Sequence, residues 1–90
     1  MQFEIHTHSI EYVDDEGTSL ARVTFPALEG DVVEIDHTFV DESLRGQGIA
    51  GKLMEQLAQE LRETHRRAKP TCSYAVSWFE KRPENADLLA

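Results

Sequence analysis

The sequence predicts an α+β domain. It reads as an antiparallel meander of three strands, a central helix, a fourth strand parallel to the third, and short C-terminal helical turns. Three observations carry this reading: strand-like alternation up to Val40, a four-residue apolar period from Ile49 onward, and Pro70 ahead of the β-prone run "TCSYAV". Ninety residues with 40% hydrophobic content suit a single domain, 1–90, with a modest core.

Each element has its own signal. In Phe3 to Val13 the apolar parity switches from Phe3 and Ile5 to Ile10 and Tyr12, which predicts a bulge or break near residues 8 to 10. "DDEG" supplies a turn, and Ser19 to Phe25 then alternates with Ala21, Val23 and Phe25 on one face before Pro26. After a turn at "LEGD", Val32 to Val40 is expected to bury Val33, Ile35, His37 and Phe39 and to turn Glu34, Asp36 and Thr38 outward. Ile49, Leu53, Leu57 and Leu61 predict a helix from Gly46 to about Ala68, with Arg62, Arg66, Arg67 and Lys69 near its C-terminus and Pro70 ending it. "TCSYAV" then enters the sheet beside Val32 to Val40, and a strand–helix–strand unit crosses over right-handed, making that pair parallel. Trp78, Phe79, Leu88 and Leu89 anchor the remaining turns.

Composition excludes several classes of function. A formal charge of −8 opposes binding to nucleic acid and favours a cationic partner. No apolar run reaches a membrane span and "MQFEIHTHSI" has no signal-peptide pattern, so a cytoplasmic protein without membrane contact is expected. Cys72, the one cysteine, has no partner for a disulfide or a C-x-x-C site. His6 and His8 share a strand face but have no third ligand close in sequence, so no metal is expected.

The stretch "LRGQGIAGKL" fits three phosphate-binding patterns. Gly46, Gly48 and Gly51 match the dinucleotide fingerprint, but Thr71 and Cys72 stand about 20 positions on, where an acidic residue should hold the ribose. Gly46 to Lys52 match a P-loop until Leu53 replaces the magnesium-binding Ser or Thr. Arg45, Gly48 and Ala50 match R-x-x-G-x-A, which needs only a strand, a tight glycine turn and a helix start. There the free N–H groups and the positive end of the helix dipole can hold a pyrophosphate, with Arg45 at the rim.

Joined to His37-Thr38 upstream and Cys72-x-Tyr74 downstream, this motif resembles the small GNAT-type, acetyl-CoA-dependent N-acetyltransferase-like family over roughly residues 10 to 90. The resemblance implies that the backbone of Phe39 and Val40 pairs with the pantetheine arm of acetyl-CoA. It implies that Arg45, Gly46, Gln47, Gly48, Ile49 and Ala50 cradle the pyrophosphate, and that Lys81 and Arg82 touch the coenzyme's phosphates. It also implies that the third and fourth strands splay apart, with Cys72 near the end of the fourth, close to the acetyl group.

Three roles stay open for Cys72: a nucleophile that carries the acetyl group, which requires a thiolate favoured by a cation or helix terminus; a residue lining the slot; or core filler. His37 is the candidate general base, with Glu34 and Asp36 as alternatives, and Tyr74 the candidate acid for the departing thiolate. Larger family members carry a helical insertion after the first strand and extra C-terminal strands that build the acceptor pocket; this chain has neither. Two functions follow: an N-acetyltransferase acting on a small or peptidyl amine, with cationic acceptors favoured, or a non-catalytic acyl-CoA-binding or regulatory module.

Overall fold

The computed structural model describes residues 1–90. The chain runs β1 (Gln2–Ile5), β2 (Ser9–Val13), β3 (Ser19–Thr24), β4 (Ala27–Glu29), β5 (Val32–Ile35), β6 (His37–Val40), a 3-10 turn (Glu42–Leu44), α1 (Ile49–Glu63), β7 (Arg67–Pro70), α2 (Ser73–Glu80) and a second 3-10 turn (Pro83–Leu88). One antiparallel sheet has the order β1-β2-β3-β6 and a second has the order β4-β5-β7, with β5 and β7 parallel. One long hairpin joins them: β3 and β4 are successive parts of its first arm, β5 and β6 of its second. No helix is long and apolar enough to cross a membrane.

α1 packs on one face of the first sheet. Leu53, Leu57 and Leu61, four residues apart, are fully buried with Met54 against Ile10, Ala21, Val23 and Phe25. Trimming one of these leucines to alanine costs about 2–5 kcal/mol, so this seam holds the domain together.

Four expectations are corrected. The parity switch in Phe3 to Val13 marks a break rather than a bulge, and the break is a hairpin turn slightly earlier than expected: the chain reverses at His6, whose N–H donates to Ser9 O at 2.8 Å. Antiparallel pairing then puts Phe3 beside Tyr12 and Ile5 beside Ile10, so opposite parities share a face.

The central helix runs from Ile49 to Glu63 rather than from Gly46 to near Ala68, because Gly46 and Gly48 are left-handed. His65 turns left-handed at φ 56°, and the N–H groups of His65 and Arg66 donate back to Arg62 O and Leu61 O. The fourth strand is therefore Arg67–Pro70, and "TCSYAV" opens a helix instead, because the sulfur of Cys72 caps α2 by accepting from Ala75 N–H at 3.4 Å.

Asp36 breaks the strand Val32 to Val40. The N–H of Asp36 donates to Thr24 O although His37 is the residue that pairs with Thr24. Such a bulge puts Asp36 and His37 on the same side and inverts every side chain beyond. Val33 and Ile35 are buried as expected, but His37 and Phe39 are exposed, and Thr38 and Val40 face the core.

Candidate functional site

The start of α1 is built from backbone. Gly46 and Gly48 adopt φ 84° and 74°, a region a side chain would strain, and Gly48 caps the helix without a side-chain bond. The N–H groups of Gly46, Gly48, Ile49, Ala50 and Gly51 donate to no protein acceptor. Those of Arg45 and Gln47 are engaged, at 3.3 Å on Glu42 O and 3.2 Å on Leu44 O, so Gln47 shapes the loop rather than offering a donor. Val40, Leu44, Arg45 and Tyr74 surround a hollow of about 260 Å³ over this backbone. The donors, the helix dipole and Arg45 make it suited to an anion.

Asp41 fixes the loop leading into the hollow. Its carboxylate accepts from Ser43 N–H at 3.0 Å and from Ser43 Oγ at 2.6 Å. These hydrogen bonds, the side-chain one foremost, lower its pKa from 3.8, and the nearby charge of Arg45 acts in the same direction.

β6 is the last strand of its sheet, and its unpaired edge leads away from this hollow as an open slot. Ile35 O accepts from both Thr71 N–H at 3.0 Å and Cys72 N–H at 3.2 Å, which ends the parallel pairing of β5 with β7. Beyond that carbonyl the hairpin continues into β6 while the other chain peels away as α2. Antiparallel bonds alternate, and Asp41 N–H donates to Leu20 O at 2.7 Å. The backbone groups of His37 and Phe39 therefore point to β3, and those of Thr38 and Val40 point into the slot. Of the two expected pairing residues, Val40 offers free groups and Phe39 does not; Thr38 was missed because the bulge that turns it is invisible in the alternation.

The proposed chemical groups stand around this slot without touching. Cys72 lies at the slot's closed end, half-buried against the core. Its place is the N-cap of α2, not the end of a strand. The Tyr74 hydroxyl lies 3.8 Å from where a Cβ on Gly51 would stand, so Gly51, dismissed from the motif, lines the hollow beneath it. His37 faces the opposite, exposed side of the sheet, and no hydrogen bond links it to Cys72 or Tyr74. Beside it Asp36 accepts from Thr24 Oγ1, and Glu34 accepts from Thr71 Oγ1 at 2.7 Å.

Arg82 sits about two helical turns beyond Tyr74, its guanidinium 4.9 Å over the Trp78 ring and outside the residues lining the hollow. Pairing across β1 and β2 supplies what sequence spacing hid for His6: ligand atoms of Glu4, His6 and Glu11 lie within 4.8 Å of one another. Arg22 Nε also reaches Glu11 there, at 3.2 Å. His8 instead meets the Phe25 ring edge at 6.5 Å between centroids.

Comparison with known proteins places this geometry. A family model described as GCN5-related N-acetyl-transferase matches residues 3–88. A GCN5-like protein from Staphylococcus aureus, solved in solution by NMR, is 28% identical with a TM-score of 0.80, covering 99% of this chain and 87% of its own. A GNAT family N-acetyltransferase from Escherichia coli, solved in complex with CoA, is 26% identical with a TM-score of 0.67; the match covers 79% of this chain and 43% of that one. An Agrobacterium tumefaciens protein at 25% identity and TM-score 0.64 has 55% of its length covered, against 81% here. Among curated proteins none matches.

Proposed function

The chain belongs to the GCN5-related N-acetyltransferase family, and we propose on that premise that it binds acetyl-CoA and transfers the acetyl group to an amine. The observation that carries this is the row of unpaired N–H groups around Gly46 and Gly48, opening directly onto the unpaired edge of β6. In this reading the pyrophosphate rests on the free N–H groups of Gly46 to Gly51, with Arg45 at the rim. The Thr38 and Val40 backbone receives the amide groups of the pantetheine arm, which leads the thioester toward Ile35 and Cys72.

The thioester supplies the activated acetyl group. The amine's lone pair forms the new C–N bond as the C–S bond breaks. Asp36 and His37, side by side on the exposed face, are placed to accept the amine's proton directly or through one water. Tyr74, beside the start of α1, is placed to give the departing thiolate its proton. Cys72, at the slot's end with its sulfur accepting from Ala75 N–H in the first turn of α2, is the candidate for a covalent relay; this variant requires the acetyl group to pass from coenzyme to sulfur and then to nitrogen.

The rival reading is a coenzyme-binding module without turnover. Its support is that His37, Cys72 and Tyr74 share no hydrogen bond. Purified protein with acetyl-CoA and a panel of amines, followed by thiol release, separates the two: saturable coenzyme binding without turnover on any amine establishes the module. The relay predicts an intact-mass gain of one acetyl group that vanishes in Cys72→Ser; normal turnover with no acetylated protein rules it out.

A further inference from the structure

We infer that the acceptor amine belongs to a positively charged polypeptide segment laid across the uncovered face of the first sheet, not to a free small amine. This rests on the acetyl-transfer reading and names its substrate class. On the core side of the slot Thr38 and Val40 turn inward, half-buried, while the face of His37 and Phe39 is open. An acceptor must arrive from that open face.

No hollow there could enclose a small molecule. One concavity is the cradle at Gly46–Gly51; the others lie between α1 and α2 and beside the end of α1, all away from the His37 face. Small ligands are held by concave sites that bury most of their surface, and a flat sheet offers none. A polypeptide can gather its contact area over an extended surface instead.

The face has the chemistry for such a segment. Register places Glu4, Glu11, Arg22 and Phe39 in one row across β1, β2, β3 and β6, next to Asp36 and His37. Phe39 is 43% exposed, a bare aromatic beside the slot that suits the methylenes and charge of a lysine. Among the basic side chains here, Arg22 is held by Glu11 at 3.2 Å, His6 lies between Glu4 and Glu11 at 3.7 and 3.4 Å, Lys69 stands opposite Glu34, and Arg67 lies further off at the start of β7. Asp36, nearest the slot, accepts only from the neutral Thr24 hydroxyl, leaving its charge for an incoming ammonium.

The test compares acetyl transfer to a capped decapeptide, one lysine flanked by arginines, with transfer to spermidine and to lysine amide. The same peptide is titrated while backbone amide shifts are followed. The expected kcat/KM for the peptide exceeds both small amines by about tenfold or more, with shifts centred on Arg22, Thr24 and His37. Glu4→Lys/Glu11→Lys should lower the peptide's kcat/KM about tenfold at unchanged coenzyme affinity, which also certifies the fold. Equal or faster turnover of the small amines overturns the inference while acetyl transfer stands. If no amine is acetylated, transfer itself fails, and the titration still decides docking: shifts on this face support it, their absence refutes it.

Discussion

The two ends of α1 rest on the same backbone device and use it in opposite ways. At the start, Gly46 and Gly48 turn left-handed and leave the N–H groups from Gly46 to Gly51, save that of Gln47, without partners. At the finish, His65 turns left-handed and the helix closes on itself: Thr64 N–H and Oγ1 bind Glu60 O at 3.0 and 2.7 Å, and Arg66 N–H binds Leu61 O at 2.9 Å. One end leaves its polar backbone open and the other satisfies it internally. Glycine is needed where something must approach the backbone; where nothing approaches, a strained histidine suffices.

The sharpest way to break this contrast is Gly48→Glu, which puts a side chain and a negative charge among the free donors. Coenzyme affinity should fall by about a hundredfold or more, since several charge-assisted bonds of about 1.5–3 kcal/mol each are lost. The left-handed backbone adds only about 1–2 kcal/mol of destabilisation. A folded Gly48→Glu protein with unchanged calorimetric affinity would show that the start of α1 is not the seat of the phosphates.

Arg45→Ala comes next, removing one charge-assisted contact at the rim. Coenzyme affinity should drop about tenfold, with a shallower salt dependence than the parent. An unchanged affinity would leave the backbone as the whole site.

His65→Gly tests the other end, relieving strain with no ligand at stake. Denaturation should show a gain of about 0.5–1 kcal/mol and calorimetry no change in coenzyme affinity. A loss of stability would mean that the imidazole itself holds the turn.

The smallest effect belongs to Asp41. Its folded pKa lies below 3.8, so its carboxylate stabilises the loop at higher pH, and that contribution is lost as pH falls through the folded value. Amide shifts of Ser43 and Leu44 should titrate there while those of Leu57 and Leu61 hold; titration of Ser43 at or above 3.8 contradicts the bond.

The same contrast explains what could be read in advance. The turn into α1 was legible because glycine is the usual residue for a left-handed turn, and three glycines in six positions, Gly46 to Gly51, mark it, although the helix itself begins at Ile49, three residues later than expected. Its end was not, because histidine gives no such mark, so the apolar period ran on toward Ala68 and displaced the following strand. The β-prone "TCSYAV" hid α2 for a related reason: cysteine is an uncommon cap. Asp36 was harder still. Val33, Ile35, His37 and Phe39 keep perfect alternation in sequence, and the bulge that reverses the last two depends on pairing with Thr24, a tertiary event. The cradle proposed for the coenzyme was thus visible from local backbone chemistry, while the orientation of His37 and the place of Cys72 were set by partners distant in sequence.

The Ile35 carbonyl, which takes both Thr71 N–H and Cys72 N–H, makes β6 a ruler. Its zero mark is the bond where the slot closes, and the residues from Asp36 to Val40 span about 16 Å toward the cradle at about 3.3 Å each. A carrier anchored by its pyrophosphate delivers its thioester to the zero mark only if its arm has that reach. Acyl carriers with a shortened arm should therefore bind nearly as tightly as the full-length one and react far more slowly, so that length would be measured in rate rather than in affinity.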